Sequence, residues 1–261
     1  MVDYNNDHQM MDVWPVGLKV RFTPGAAVGS VGPTLEQVRA VLPTDAAIRN
    51  HPDLRVDGGV VTLPLLPTGD YKITIAGASG RNFYNFGGKG MILTYRVRYS
   101  ASSSAPWRLI VGQMHSGTQP GGGGGGSFMF QGEELLLVAG GGGGGGWHLC
   151  HDSHITPGRG IIADDPGTNG IDGGAGAWRD DGGKGWREIA NYLSGGPIAS
   201  DSFSFGGGGQ GCSTHAGGGG GYSGGSGWCG GSSFAHPSAA SVQPESATNF
   251  GSGFIEIQRI I

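Results

Sequence analysis

Seven consecutive glycines, residues 140–146, lie just past the apolar run Leu135-Leu136-Leu137-Val138 and run directly into Trp147, and shorter runs follow the same pattern at 121–126, 206–209 and 217–221. Glycine loses the most backbone entropy on ordering and brings no side chain to a core, so such runs ordinarily read as flexible linkers. These runs are instead flanked by strand-like or aromatic segments: Phe128-Met129-Phe130, Phe203-Ser204-Phe205 and Tyr222. The alternative is a bundle of polyproline-II helices, which make no internal hydrogen bonds and leave every N–H and C=O for neighbours. Six residues in that form make a rod of roughly 19 Å. The ordered bundle is the reading taken here, with Gly121, Gly126, Gly140, Gly143, Gly146, Gly206, Gly209, Gly217 and Gly221 as its structural glycines. Gly143, in the middle of the longest run, is where a side chain is expected to be poorly tolerated.

Glycine supplies 57 of the 261 residues, charged residues only 14%, and the formal net charge is −4. Few large aliphatic residues and low charge together argue against both a large conventional core and a highly charged disordered chain. A mildly acidic balance without Lys/Arg clusters leaves no electrostatic footprint for nucleic acid. No stretch approaches 18 apolar residues, and the first residues lack a basic segment followed by an apolar one. Neither a membrane span nor a signal peptide is therefore expected, and synthesis is expected in a host cytoplasm. Of three cysteines, Cys212 and Cys229 bracket one glycine run and are the candidate disulfide of an oxidising medium, a pairing that spacing alone does not decide.

Residues 1–17 are polar and Met-rich and read as an attachment arm, with Tyr4, Met10, Met11 and Trp14 as its candidate contacts. Strand-like alternation begins at 18–22. A helix is expected over 35–42, where Thr34 and Gln37 have capping-box spacing and Pro43 ends the pattern. Residues 60–66 and 70–76 read as a pair of strands joined by Pro67-Thr68-Gly69-Asp70. Alternation is clearest over 91–99, and further strands are expected at 107–111, 127–130, 134–139 and 253–259. The resulting fold class is mainly β: an antiparallel jelly-roll sandwich over residues 18–261, with residues 117–235 carrying the polyglycine bundle and its loops.

Several pieces, taken in order, resemble the glycine-rich domain family known from the ectodomains of anaplastic lymphoma kinase and leukocyte tyrosine kinase. They are Phe22-Thr23-Pro24-Gly25-Ala26, Gly32-Pro33-Thr34 with its helix, Gly69-Asp70-Tyr71-Lys72-Ile73-Thr74-Ile75-Ala76-Gly77-Ala78, Gly87-Gly88-Lys89-Gly90, Leu109-Ile110-Val111-Gly112-Gln113, and the runs starting at Gly121 and Gly140. The resemblance covers about residues 19 to 261 and implies a tumour-necrosis-factor-like jelly roll paired with glycine polyproline-II helices. In the kinases the domain binds a protein ligand. This sequence carries no kinase and no membrane span, so the receptor role does not transfer with the fold. The glycine bundle is also similar to the tip adhesins of phage long tail fibres, where glycine helices carry variable receptor-binding loops.

The cluster His148-Leu149-Cys150-His151-Asp152-Ser153-His154 is the one metal-like grouping, but it matches no common zinc spacing, and His148, Cys150 and His151 read as an exposed polar loop before they read as ligands. Residues 164–172 offer oxygen ligands without an EF-hand pattern. Gly87-Gly88-Lys89-Gly90 and Gly182-Gly183-Lys184-Gly185 lack the spacing of a phosphate loop, and no nucleophile-and-base set is evident. Neither a cofactor nor enzymatic activity is expected. The aromatic residues among the glycine runs read first as seals for the ends of the bundle. The functional alternative sets Trp147, Trp178, Arg179, Trp186, Arg187 and Tyr192 at loop tips as receptor contacts, because rigid rings give contact area at low entropy cost. The expectation is a non-enzymatic surface protein of a virus or phage particle (a fibre, decoration or tip protein), held to other virion proteins by its arm. It would serve host-surface attachment, meeting a protein or glycan there, or particle stabilisation, and it would form a homo-oligomer, of which a trimer is one form. The other class is an extracellular ligand-binding module of a receptor.

Overall fold

The computed structural model describes residues 14–27, 29–81, 87–100, 105–115, 121–145, 183–185, 190–191, 202–209, 217–225 and 229–261. The chain is mainly β, with antiparallel sheets and, among the described residues, one α-helix longer than a single turn. No helix among those residues is long and apolar enough to cross a membrane. The front sheet has the order β1-β13-β4-β5-β12, formed by Lys19–Phe22, Phe254–Arg259, Gly69–Ala76, Gly90–Tyr99 and Ala240–Asn249. The back sheet, β11-β8-β7-β6-β3-β2, uses Phe234–Ala235, Glu134–Ala139, Ser127–Gln131, Trp107–Ile110, Val60–Thr62 and Arg55–Asp57. A short pair, β9 (Ser202–Ser204) with β10 (Gly208–Gly209), lies within the glycine region.

Period-two alternation explains the core. Tyr71, Ile73 and Ile75 of β4 and Leu93, Val97 and Tyr99 of β5 point inward and are buried with Ile255 and Ile257 of β13. They meet Val61, Leu109, Met129 and Leu137 of the back sheet in one apolar cluster. Arg96 and Arg98, out of phase with those residues, are exposed. Tyr71, Tyr99 and Trp107 pack edge to face with ring centroids 5.1–6.4 Å apart, the arrangement that ring quadrupoles favour. The helix α1 (Leu35–Val41) starts at the expected capping box: Thr34 Oγ1 accepts from the Gln37 N–H, and the Gln37 side chain accepts from the Thr34 N–H. It turns Val38 into the core.

One expected pairing is corrected. Residues 60–66 and 70–76 do not form a hairpin, since β3 pairs with β2 and β6 while β4 pairs with β13 and β5. Pro64 and Pro67 remove two ladder donors between them, and the chain uses that stretch to cross between sheets, burying Leu63 and Leu66 on the way. The true partner of β3 is β2, across a two-residue turn in which Gly58 and Gly59 take φ of +52° and +83°, as a type I′ hairpin requires. Trp14 is also corrected. Expected to face a partner from the arm, it is fully buried in the core, and its carbonyl accepts a hydrogen bond from Arg259 Nη1. A side chain without exposed surface cannot hold the domain to another protein. Tyr4, Met10 and Met11 lie outside the described residues.

Burial raises the pKa of both Tyr71 and Tyr99 above the usual tyrosine value, chiefly by desolvation. Tyr71 Oη also donates to the Pro67 carbonyl at 2.7 Å. The folded state thus holds these protons more tightly than the unfolded chain. The associated stability is complete below the unfolded tyrosine value of about 10 and declines as pH rises above it. The urea midpoint is expected to fall between pH 8 and pH 11, and to fall less in Tyr71→Phe. Equal falls in both proteins would contradict this assignment.

Candidate functional site: a glycine lattice joined to the sheets

The glycine runs continue directly from strands. The run 121–126 leads into β7, and 140–145 leaves β8, so two sheet strands fix where these segments start. Beyond the strands, their hydrogen bonds no longer alternate with period two. In 121–126, Gly123 and Gly126 donate to Gly209 and Gly206, Gly124 donates to Gly142, and Gly125 donates to Gln113, all at 2.8–3.0 Å. Acceptors follow the same rule: Gly121 and Gly124 accept from Gly217 and Gly220, and Gly122 and Gly125 from Arg81 and Ala78. In 140–145, Gly141 and Gly144 donate to Gly220 and Gly217, Gly142 and Gly145 donate to Ala78 and Arg81, and Gly140 and Gly143 accept from Met91 and Gly88. Groups three residues apart therefore reach the same neighbour. None of these bonds stays within its own run.

Each of the two central runs is surrounded by five segments. Residues 121–126 meet those around 78–81, 113, 142, 206–209 and 217–220, and residues 140–145 meet 78–81, 88–91, 124, 217–220 and 231–233. Side chains are excluded by contact. A Cβ built on Gly124, Gly141, Gly142 or Gly144 would overlap a backbone carbonyl of the neighbouring segment, at Ala78, Gly124, Gly88 and Gly121 respectively. The backbone groups of these two runs are thus satisfied laterally, as unpaired buried ones would cost about 1–3 kcal/mol each.

The lattice is joined to the sheets by a few side chains. Ser127 Oγ accepts from the Gly112 N–H at 2.9 Å and donates to the Ala76 carbonyl at 2.6 Å, tying the start of β7 to the end of β4. Phe205 enters a second apolar cluster on the outer face of the back sheet, with Val60, Ile110, Phe128, Phe130, Leu135 and Val138. Its ring lies against Gly32 and Gly59, where any Cβ would strike it. Tyr222 stacks on Phe234 at 4.7 Å beside the same cluster. These two aromatics seal the lattice against the sheet.

Of the expected structural glycines, Gly121, Gly126, Gly140, Gly143, Gly206, Gly209, Gly217 and Gly221 all take part in lattice hydrogen bonds with other segments. Gly146 lies outside the described residues, as do Trp147, Trp178, Arg179, Trp186, Arg187 and Tyr192, the expected receptor contacts, and His148, Cys150 and His151 of the metal-like cluster. Among the described residues no group of three or more His, Cys, Asp or Glu side chains is placed to hold a metal. Cys229 is half-buried with a free thiol, and Cys212 is outside the described residues. Sequence reasoning missed the short segments that complete the lattice, 78–81, 87–88 and 112–113. Their one visible signal was small residues directly after apolar strands, as in Ala76-Gly77-Ala78-Ser79-Gly80.

Compared with known proteins, the chain matches no family model, and no curated protein matches it.

Proposed function

We propose that this chain is a non-enzymatic protein displayed on the surface of a virus or phage particle, a fibre, decoration or tip protein. In this reading the two sheets are a jelly roll of the tumour-necrosis-factor type and the glycine runs are polyproline-II helices. The observation that supports it is the period-three lateral hydrogen bonding of 121–126 and 140–145, since three residues per turn with no internal bonds is the geometry of that helix. A lattice whose backbone groups are paired and whose neighbours exclude side chains resists local opening. The sequence spaces its long connections between such segments: residues 146–182 separate the run 140–145 from Gly183, and 210–216 separate 206–209 from 217–221. A rigid base that sets the ends of such connections suits attachment to a host-surface protein or glycan, with Trp178 and Arg179 of 146–182, and Trp186 and Arg187 just past residues 183–185, as contacts.

The test uses an antibody to the purified protein. Density-gradient-purified particles from the producing culture are expected to contain the chain, and gold label is expected on their outer surface. Recovery with cell membranes, together with its absence from purified particles, would overturn the reading in favour of a cell-surface ligand-binding module.

A further inference from the structure

The outer face of the front sheet carries a charge arrangement that the overall balance of the chain conceals. Register places Lys19, Gln258, Lys72 and Arg96 in one row across β1, β13, β4 and β5, with Arg21 and Glu256 two residues along on one side and Asp70 and Arg98 on the other. Five cations and two carboxylates thus share this face among the described residues, on a chain whose net charge is −4. The two signs lie at different depths. Side chains of Lys19, Arg21, Arg96 and Arg98 are 57%, 52%, 50% and 73% exposed, whereas Asp70 and Glu256 are 8% and 14% exposed.

Each carboxylate lies under two cations and orients them. Glu256 takes Lys19 Nζ at 3.1 Å and Arg21 Nη2 at 2.9 Å; Asp70 accepts from Arg96 Nε at 2.9 Å and lies 3.5 Å from Arg98 Nη1. Arg21 also lies over the Phe254 ring, 4.2 Å from its centroid. Lys72 has no carboxylate partner among the described residues. Solvent therefore meets a cationic layer whose guanidinium groups are already held in place, spanning about 14 Å from β1 to β5 at the usual strand spacing.

The geometry points to this face as a binding surface for a linear anionic polysaccharide bearing carboxylate or sulfate groups. A band of cations across four strands, with Lys19, Arg21, Arg96 and Arg98 held by the carboxylates beneath them, matches charges repeated along an extended sugar chain, and pre-set guanidinium groups lose little entropy on pairing. Nucleic acid fits less well, because the Phe254 ring on this face is covered by Arg21 and not open to a base, and a face about 14 Å wide reaches few phosphates of a duplex. A peptide strand cannot add at the centre of the face, since the backbones of β13 and β4 are paired on both sides. The surface uses sheet residues alone, so its loss would leave the loop-display reading standing.

Binding of the full-length protein to heparin-derived and alginate oligosaccharides by calorimetry tests the assignment. Both are expected to bind, with affinity falling at least roughly tenfold between about 50 and 200 mM salt, as counterion release requires. The double variant Lys19→Glu/Lys72→Glu is expected to weaken binding by about tenfold or more, while Arg55→Glu on β2 of the back sheet leaves it unchanged. Lys72→Ala, which breaks no ion pair among the described residues, is expected to weaken binding with an unaltered melting curve if the double variant does not fold. Failure of both oligosaccharides to bind at low salt would overturn the proposal. So would equal loss in Arg55→Glu, or tighter binding of poly-glutamate than of either sugar, which would assign the face to an acidic protein.

Discussion

Gly142→Val is expected to cost about 3–5 kcal/mol and to lower the melting temperature by roughly 10 °C, or to prevent soluble expression. The Gly142 N–H donates to Ala78 and its carbonyl accepts from Gly124, while a Cβ at this position would overlap the Gly88 carbonyl. The obstacle is backbone, not the movable end of a side chain, so relief requires the runs to separate. Separation breaks at least these two buried bonds, each worth about 1–3 kcal/mol when left unpaired, against a total stability of about 5–15 kcal/mol. Gly17→Ala is the control. Gly17 has φ of +88° with nothing within 4 Å of a built Cβ, so backbone strain alone applies, at about 1 kcal/mol. Comparable melting curves for the two variants would show that close contact in the lattice contributes little.

Trp14→Ala is expected to cost about 3–5 kcal/mol, the usual range for removing a large buried aromatic. Its ring is fully buried with Val20, Tyr71, Ile257 and the rest of the main cluster, and its carbonyl holds Arg259 near the end of β13. Removing residues 1–17 is therefore expected to lower the melting temperature at least about as far as Trp14→Ala does. An unchanged melting temperature in the truncated protein would show that Trp14 contributes little to the core.

Elements whose side chains alternate against one core were legible from sequence, as in β4 and β5, where Tyr71, Ile73 and Ile75 and then Leu93, Val97 and Tyr99 mark the buried face. So was the helix, because Thr34 and Gln37 cap it locally. What was missed depends on distant partners. β12, Ala240–Asn249, contains Pro244 and little apolar pattern, and it shifts register three times against β5. An edge strand tolerates both, since half of its backbone needs no partner. The hairpin of β2 and β3 had its signal in Asp57-Gly58-Gly59, turn residues between two strands of three residues each, too short to show alternation. The glycine runs stood out by composition, but the segments that complete their lattice, such as 78–81, are recognisable only once the runs lie beside them. The cationic face follows the same logic: alternation set Arg96 and Arg98 outward, but only register brought Lys19, Lys72 and Arg96 into one row.

The central claim is that these glycines are ordered by lateral hydrogen bonds, and residue-resolved amide hydrogen exchange of the wild-type protein measures it directly. The N–H groups of Gly123, Gly124, Gly125 and Gly126, and of Gly141, Gly142 and Gly144, are predicted to exchange as slowly as those of β4 and β5, which pair along their whole length. Exchange through 121–126 and 140–145 at the rate of an unstructured peptide, with β4 and β5 still protected, would contradict it and return the runs to flexible linkers.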